Sequence, residues 1–263
     1  MADPLKIQIV IPCFNEAERL DCRQFQDFVQ RTRGGINFLF VDDGSTDATS
    51  QLLETLSCAN PETIAVFHLA HNQGKGEAVR QGFLQALRAE VDFVGFWDAD
   101  LATPLDTIPA FCEMLVAKPD IDIVFGARVQ LLGRSIERRA LRHYLGRIFA
   151  TLISLALDLK VYDTQCGAKL FRASPQLREV FSTPFGSRWL FDVEILARLI
   201  QMQRAGYLSP VEQMVYEYPL PCWRDVSGSK LGYRDFVIAV IDLCRIYGKY
   251  LQTAKTSNPS PSG

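Results

Sequence analysis

The stretch FVGFWDADLATP, residues 93–104, drives an apolar run into two aspartates one residue apart and then turns at a proline. FVGFW has the uncharged, aromatic character of a strand buried on both faces. Two carboxylates close together at the end of such a strand repel one another and lose hydration unless a cation compensates. Hard oxygen ligands suit Mg2+ or Mn2+, and Mg2+ commonly takes one or two carboxylates and fills its octahedron with phosphate and water. Asp98 and Asp100 are therefore candidate ligands for a metal diphosphate. Two alternatives stand beside this: Asp100 as the N-cap of a helix over 105–116, or a phosphatase-type nucleophile. Such nucleophiles usually lie early in a chain, and here Ala102, rather than Thr, follows Asp100 by two residues.

Outward from this stretch, KIQIVI (6–11), INFLFV (36–41), TIAVFHL (63–69), DFVGFW (92–97) and IDIVFG (121–126) read as five strands. Residues 78, 79, 82, 83, 86 and 87 are apolar or glycine, the stripe of an amphipathic helix, and 105, 108, 111, 112, 115 and 116 repeat it. Strands alternating with helices predict an α/β fold with a mostly parallel central sheet flanked by helices. Sites in such sheets form at the carboxyl ends of strands.

Three strand ends stand out: PCFNE (12–16), VDDGSTD (41–47) and DADLATP (98–104). In the first, Pro12 is expected to end the strand and Asn15 to cap a helix, with Glu18 completing a capping box. That leaves Glu16 without a structural task. VDDGSTD reads either as a turn with capping residues or as part of a site; it lacks the acidic alternation and distal Glu of a calcium loop. HNQGKGEA (71–78) sets two glycines and Lys75 before a helix, either as a plain turn or as an anion contact. It matches neither the phosphate-loop nor the dinucleotide fingerprint.

After Gly126 come Arg128, Arg134, Arg138, Arg139, Arg142 and Arg147, with Glu137 as the one intervening acid. The guanidinium fork suits phosphate. Arg128 directly follows the fifth strand and is best placed for that task, whereas Arg142 and Arg147 read as a solvated helix face. The apolar stretch 148–157 fits either an apolar track for a lipid phosphate or a buried helix. A turn at DTQCG (163–167), a helix beginning near RWLFDVEIL (188–196) and an amphipathic helix over 233–251 follow. TAKTSNPSPSG (253–263) has the composition of a disordered tail. One domain is expected over 1–252, with a nucleotide-binding half about 1–127 and an acceptor half about 128–252.

A net charge of −2 argues against a nucleic-acid partner. The seven cysteines never occur as CxxC, which points to free thiols in a reducing cytosol. MADPLKIQIV lacks the pattern of a signal peptide, and no apolar run reaches the roughly 18–20 residues of a membrane span. A cytoplasmic protein is expected, with any bilayer contact peripheral.

IVIPCFNE, VDDGSTDAT, HNQGKGEAVRQGF, DADLATP, DTQCGAKLF, RWLFDVEIL and WRDVSGSKLG, in this order, resemble the inverting glycosyltransferases of family 2, with their GT-A fold. Within that family the chain looks most like the dolichyl- and polyprenyl-phosphate glucosyl- and mannosyltransferases, leaning to the glucosyl branch. The resemblance implies transfer of a hexose from a UDP- or GDP-sugar to polyprenyl phosphate, with Mg2+ or Mn2+. It implies that Pro12, Glu16, Asp43 and Lys75 contact the nucleotide-sugar, that Asp98 and Asp100 hold the metal, and that Lys230 meets the donor phosphates. Arg128, Arg138 and Arg139 would receive the acceptor phosphate. Asp163 and Gln165 would lie near the transferred sugar, Asp163 orienting a phosphate acceptor or deprotonating a hydroxyl one, and Trp189 and Asp192 would shape the acceptor side. A soluble hydroxyl acceptor and a non-catalytic nucleotide-sugar sensor are the competing expectations. Ala102 stands where some relatives supply a further polar metal ligand.

Overall fold

Alternation along the central strands decides which helices each side chain meets. The computed structural model describes residues 5–32, 35–137, 140–225 and 233–252. In chain order these form β1 (Ile7–Cys13), α1 (Cys22–Thr32), β2 (Ile36–Asp42), α2 (Thr49–Ala59), β3 (Ile64–His68), α3 (Lys75–Arg88) and β4 (Phe93–Trp97). A single 3-10 turn over Leu105–Thr107 leads into α4 (Ile108–Ala117), then β5 (Ile123–Ala127), β6 (Ser135–Glu137), α5 (Ala140–Leu157), β7 (Ala168–Arg172) and α6 (Pro175–Val180). The remainder is α7 (Phe191–Arg204), α8 (Val211–Met214), β8 (Val215–Pro219), β9 (Cys222–Arg224) and α9 (Tyr233–Ile246), which closes in a π turn over Tyr247–Leu251.

Among the described residues, seven strands form one sheet in the order β3-β2-β1-β4-β7-β5-β8, and β6 pairs with β9 in a separate ribbon. Ile9, Ile11, Phe38, Phe40 and Trp97 face α1 and α4, where Phe25, Phe28, Phe111 and Leu115 complete one core layer. Val10, Leu39, Val41, Val94 and Phe96 face the other way, onto Phe83 of α3 and Val193 and Leu196 of α7. The two layers follow from the period of two in a pleated strand. Phe25 meets Phe38 and Phe40 edge-on at 5.3 and 4.9 Å, and Phe83 stacks on Phe181 at 4.2 Å.

The five predicted strands are all present, with ends slightly displaced. β1 does not stop at Pro12; Pro12 is paired with Val41 and the strand continues to Cys13. β4 flanks β1 only over Ile7–Val10, so beyond Val10 that side is open and a residue without N–H breaks no ladder bond there. Of the elements the periodicity did not reveal, among them β6, β8 and β9, β7 matters most for the site. It runs antiparallel between β4 and β5, with Trp97 opposite Ala168 and Phe93 opposite Arg172. The expected tail at 253–263 lies outside the described residues.

α3 approaches the sheet closely at Gly82. A Cβ there would overlap Val10 Cγ1 and lie 3.1 Å from Val41 Cγ2, both in fully buried residues. Gly82→Ala is therefore expected to lower stability by about 1–3 kcal/mol through overpacking, despite alanine's better helix propensity. Urea titration checks this, and an unchanged or raised midpoint would show that the contact is loose.

Candidate active site at the carboxyl ends of the strands

Three loops meet above β1, β2 and α3. The loop after β1 does not begin a helix at Asn15. Asn15 has a positive φ of 51° and its Oδ1 accepts from Thr46 N at 2.8 Å, while α1 starts only after Asp21, whose carboxylate accepts from the amides of Arg23 and Gln24. Ser45, Asp47 and Thr49 hold the amides of Asn15, Ala17 and Glu16 respectively, at 3.0, 3.2 and 2.8 Å. VDDGSTDAT (41–49) thus serves as the clamp that fixes Glu16 and its two neighbours. Asp43 turns the other way: its two carboxylate oxygens accept from Gln73 N and Gly74 N at 2.7 and 2.8 Å. Gly44, at φ 66°, lets this turn press on the loop, since a Cβ there would lie 2.6 Å from the His71 carbonyl carbon.

Glu16 Oε1 pairs with Arg19 at 2.5 Å, whereas the buried Oε2 has no hydrogen-bond partner among the described residues. Burial pushes the Glu16 carboxyl up; Arg19 opposes this, and the charges of Asp100 and Asp98 add to it. Burial and then Asp98 likewise raise Asp100. Asp100 Oδ1 accepts from Ala102 N at 3.1 Å; the helix begins further on, so Asp100 closes a turn and does not cap it.

Asp98 is placed by β7. Its amide donates to Gly167 O at 2.9 Å, and a Cβ at 167 would fall on its carboxylate. Lys75, at the start of α3, bonds Asp98 Oδ1. Burial works against the Lys75 charge, but Asp98, Asp192 and Asp100 outweigh it and raise its pKa. Behind this pair, fully buried Lys169 of β7 meets Asp192 of α7 at 2.6 Å and donates to Cys166 O at 2.6 Å. Its ammonium lies 5.0 and 4.8 Å from the Phe96 and Phe125 ring centres.

Beside β5, Arg128 grips Asp163 through Nε at 2.6 Å, Nη2 at 2.7 Å and its own amide at 3.1 Å. The Arg128 charge is reinforced by that carboxylate, which outweighs the burial penalty. Glu217 of β8 accepts from the amides of Tyr162 and Asp163 at 2.8–2.9 Å and so anchors the turn from below.

With this arrangement in hand, residues 8–176 match the family described as Glycosyl transferase family 2. The chain belongs to that family. Two relatives named dolichyl-phosphate beta-glucosyltransferase align over nearly all of this glycosyltransferase. The Drosophila melanogaster protein is 32% identical over 94% of this chain and 76% of its own length; that of Saccharomyces cerevisiae is 30% identical over 93% and 75%. A solved structure of glucosyl-3-phosphoglycerate synthase from Mycobacterium tuberculosis, crystallised with Mn2+, UDP and glucosyl-3-phosphoglycerate, shares the fold at a TM-score of 0.58. It is 20% identical over 92% of this chain and 80% of its own. The glycosyltransferase therefore has the GT-A fold expected of it.

The structure brings Glu16, Lys75, Asp98 and Asp100 together, with Pro12 in the strand below and Asp43 bracing the Lys75 loop. It sets Arg128, Asp163 and Gln165 at the next strand end. Trp189 projects with 51% of its surface exposed, and Asp192 is buried behind the site on Lys169. Arg138, Arg139 and Lys230 lie outside the described residues. Sequence reasoning missed Arg19, Lys169, Glu217 and Arg188, the last of which hydrogen-bonds Asn72 Oδ1 on the Lys75 loop. No described cluster of three or more His, Cys, Asp or Glu is arranged for a metal. The hard carboxylates of Asp98 and Asp100, electrostatically coupled to each other and to the unpartnered Glu16 oxygen, nonetheless fit a divalent ion that a diphosphate completes.

Two outcomes follow from this geometry. Gly167→Ala should displace Asp98 and reduce donor-induced thermal stabilisation while the apo protein stays folded; an unchanged donor shift would show that Asp98 does not need its present place. His68 is bridged to Asp42 at 3.0 Å and to Glu54 at 2.6 Å. Burial alone would lower its pKa, but the bonds to Glu54 and Asp42 raise it above 6.5. That stabilisation is full below about pH 6.5 and is lost as pH rises through the raised value. The melting-temperature gap between wild type and His68→Gln should accordingly be wider at pH 5.5 than at pH 9, and an equal gap at both would sink this assignment.

Proposed function

We propose that the protein is a metal-dependent inverting hexosyltransferase that transfers glucose, or mannose, from a UDP- or GDP-sugar to the phosphate of a dolichyl or polyprenyl lipid. The observation that carries this reading is the state of Asp163. A carboxylate holding a bidentate guanidinium at 2.6 and 2.7 Å, with an amide besides, is a poor proton acceptor. Glu217 is occupied by two backbone amides. A hydroxyl acceptor needs a base; a phosphate oxygen is already anionic near neutral pH and needs none. Asp163 then orients Arg128 at the acceptor side. This agrees with the acceptor in the names of the two relatives.

On the donor side, Asp98 and Asp100 would hold the divalent ion, with Glu16 completing the negative wall and Asp43 fixing the loop that carries Lys75. The ion would supply neutralisation of charge on the departing diphosphate. Lys75 keeps Asp98 in place between turnovers. Lys230 is assigned to the same phosphates.

No described helix is long and apolar enough to cross a membrane. α5 nevertheless turns Ile148, Leu152 and Leu155 outward, exposed by 58%, 42% and 73%, one stripe at helical spacing on a helix without a single acid. This stripe, together with the exposed Val237, Ile238 and Ile241 of α9, is the surface for peripheral contact with the bilayer that holds the acceptor.

The test is transfer of labelled sugar from UDP-glucose or GDP-mannose to polyprenyl phosphate in Mg2+ or Mn2+, beside donor binding followed by thermal unfolding. Donor at about 100 times its dissociation constant should add roughly 2.7 kcal/mol with metal, and Asp100→Ala should abolish the increment. Retention of the full increment in Asp100→Ala, or transfer confined to alcohols, would overturn this function.

A further inference from the structure

The main chain around Lys75 is held from three sides. Asp43 accepts from the amides of Gln73 and Gly74 at 2.7 and 2.8 Å. Gly74, at φ 97°, packs against Arg188, where a Cβ would lie 2.6 Å from Nε. Gly76 packs against α7, where a Cβ would lie 2.9 Å from the Phe191 Cβ. The lysine side chain is the adjustable part, a flexible four-carbon stem ending in a point charge. It is 30% exposed and its ammonium is bonded to Asp98 Oδ1.

Charge alternates from this point into the core. Asp98 meets Lys75, and Asp192 behind them meets Lys169 at 2.6 Å. Both ammoniums lie against the Phe96 ring, Lys75 at 5.9 Å and Lys169 at 5.0 Å from its centre. A divalent ion on Asp98 and Asp100 upsets this order. On Asp98 Oδ1 it would need the lone pair that Lys75 uses. On the other oxygen, ion and ammonium would share one carboxylate, within the ~4–6 Å at which a charge shifts its neighbour by about one to three pKa units. No group of three His, Cys, Asp or Glu is arranged for a metal among the described residues. Two carboxylates, one of them carrying an ammonium, hold a divalent ion weakly by themselves. A diphosphate changes the balance, because it offers the ion further oxygens and the ammonium a new anionic partner.

We propose that Lys75 competes with the divalent ion for Asp98, so that the ion and the nucleotide diphosphate bind interdependently. The inference rests on the donor side of the function above and adds its regulation: the ion binds poorly until a diphosphate draws the ammonium away. Mn2+ affinity, read from the EPR signal of the free ion, tests this without turnover. Lys75→Met and Lys75→Gln remove the charge. Both should bind Mn2+ alone at least about tenfold more tightly than wild type, the lower end of that electrostatic range. Lys75→Arg keeps a cation and should stay within about threefold of wild type. Addition of UDP or GDP should then raise Mn2+ affinity by a factor about tenfold larger in wild type than in Lys75→Met. By linkage, Mn2+ should raise nucleotide affinity by the same two factors.

If Lys75 only held Asp98 in position, its loss would weaken Mn2+ binding, the opposite sign. Unchanged, weaker or undetectable Mn2+ binding in both neutral variants therefore overturns the proposal. Equal tightening in Lys75→Arg also overturns it, because the effect would then come from packing and not from charge. Asp100→Ala separates this inference from the reading it rests on. Mn2+ binding unaffected by that substitution would remove the metal pair and the donor side of the function with it. Binding lost in Asp100→Ala, yet not tightened in Lys75→Met, would remove the competition alone.

Discussion

Asp98 occupies the space that a side chain at position 167 would fill, and much of the site follows from that contact. An antiparallel strand, β7, is threaded between β4 and β5, so that the start of one strand meets the end of another. Its register puts Ala168 opposite Trp97 and brings the Gly167 carbonyl to the Asp98 amide. A parallel neighbour would point its own carboxyl end the same way. The reversal instead feeds the turn 162–167 into the space beside Asp98, and with it Asp163 and Thr164. The sides proposed for donor and acceptor are therefore adjoining ends of two hydrogen-bonded strands.

Charge is arranged in depth around that contact. Asp98 meets Lys75 at the surface of the cleft; Asp192 meets Lys169 behind it; Asp163 meets Arg128 at its side. Burying such pairs adds little to stability and can cost it. Their effect is positional. Each acid is pinned by a base from a different element, and Phe96 and Phe125 line the Lys169 ammonium on the apolar side. Among the five buried polar atoms without a described hydrogen-bond partner, Glu16 Oε2 and Thr164 Oγ1 belong to the loops that carry the site residues.

The parallel half of the sheet was legible because its strands are uniformly apolar and end in polar clusters: KIQIVI, INFLFV and FVGFW stand out against any background. β7 was not, since AKLFR carries a lysine in second place, and only its contacts with Asp192 and Cys166 O make that lysine acceptable in a core. The acids and Lys75 were found from composition at strand ends, but their partners were not. Nothing local says that Asp43 will brace residues 73 and 74, or that Asp163 will be consumed by Arg128. Asn15 shows the opposite failure: a good capping pattern lost to a tertiary bond with Thr46. Arg147 was misread as a solvated face: Ile148 and Leu152 of its helix do point outward, but its guanidinium lies 3.8 Å from the Tyr162 ring centre and donates to Tyr162 O at 3.1 Å, a contact no local pattern announces.

Ser187 couples parts of the molecule that are distant in sequence. Its hydroxyl donates to Asp242 of α9 at 2.7 Å and accepts from Leu190 N at 2.9 Å, at the entry to α7. The next residue, Arg188, reaches Asn72, and Tyr250 fastens the end of the same C-terminal segment to Glu194 at 2.8 Å. The last helix and the glycine-bearing loop are thus joined through two consecutive residues, Ser187 and Arg188. The C-terminal segment therefore belongs to the same hydrogen-bonded frame as that loop, and a change that loosens one removes a support of the other.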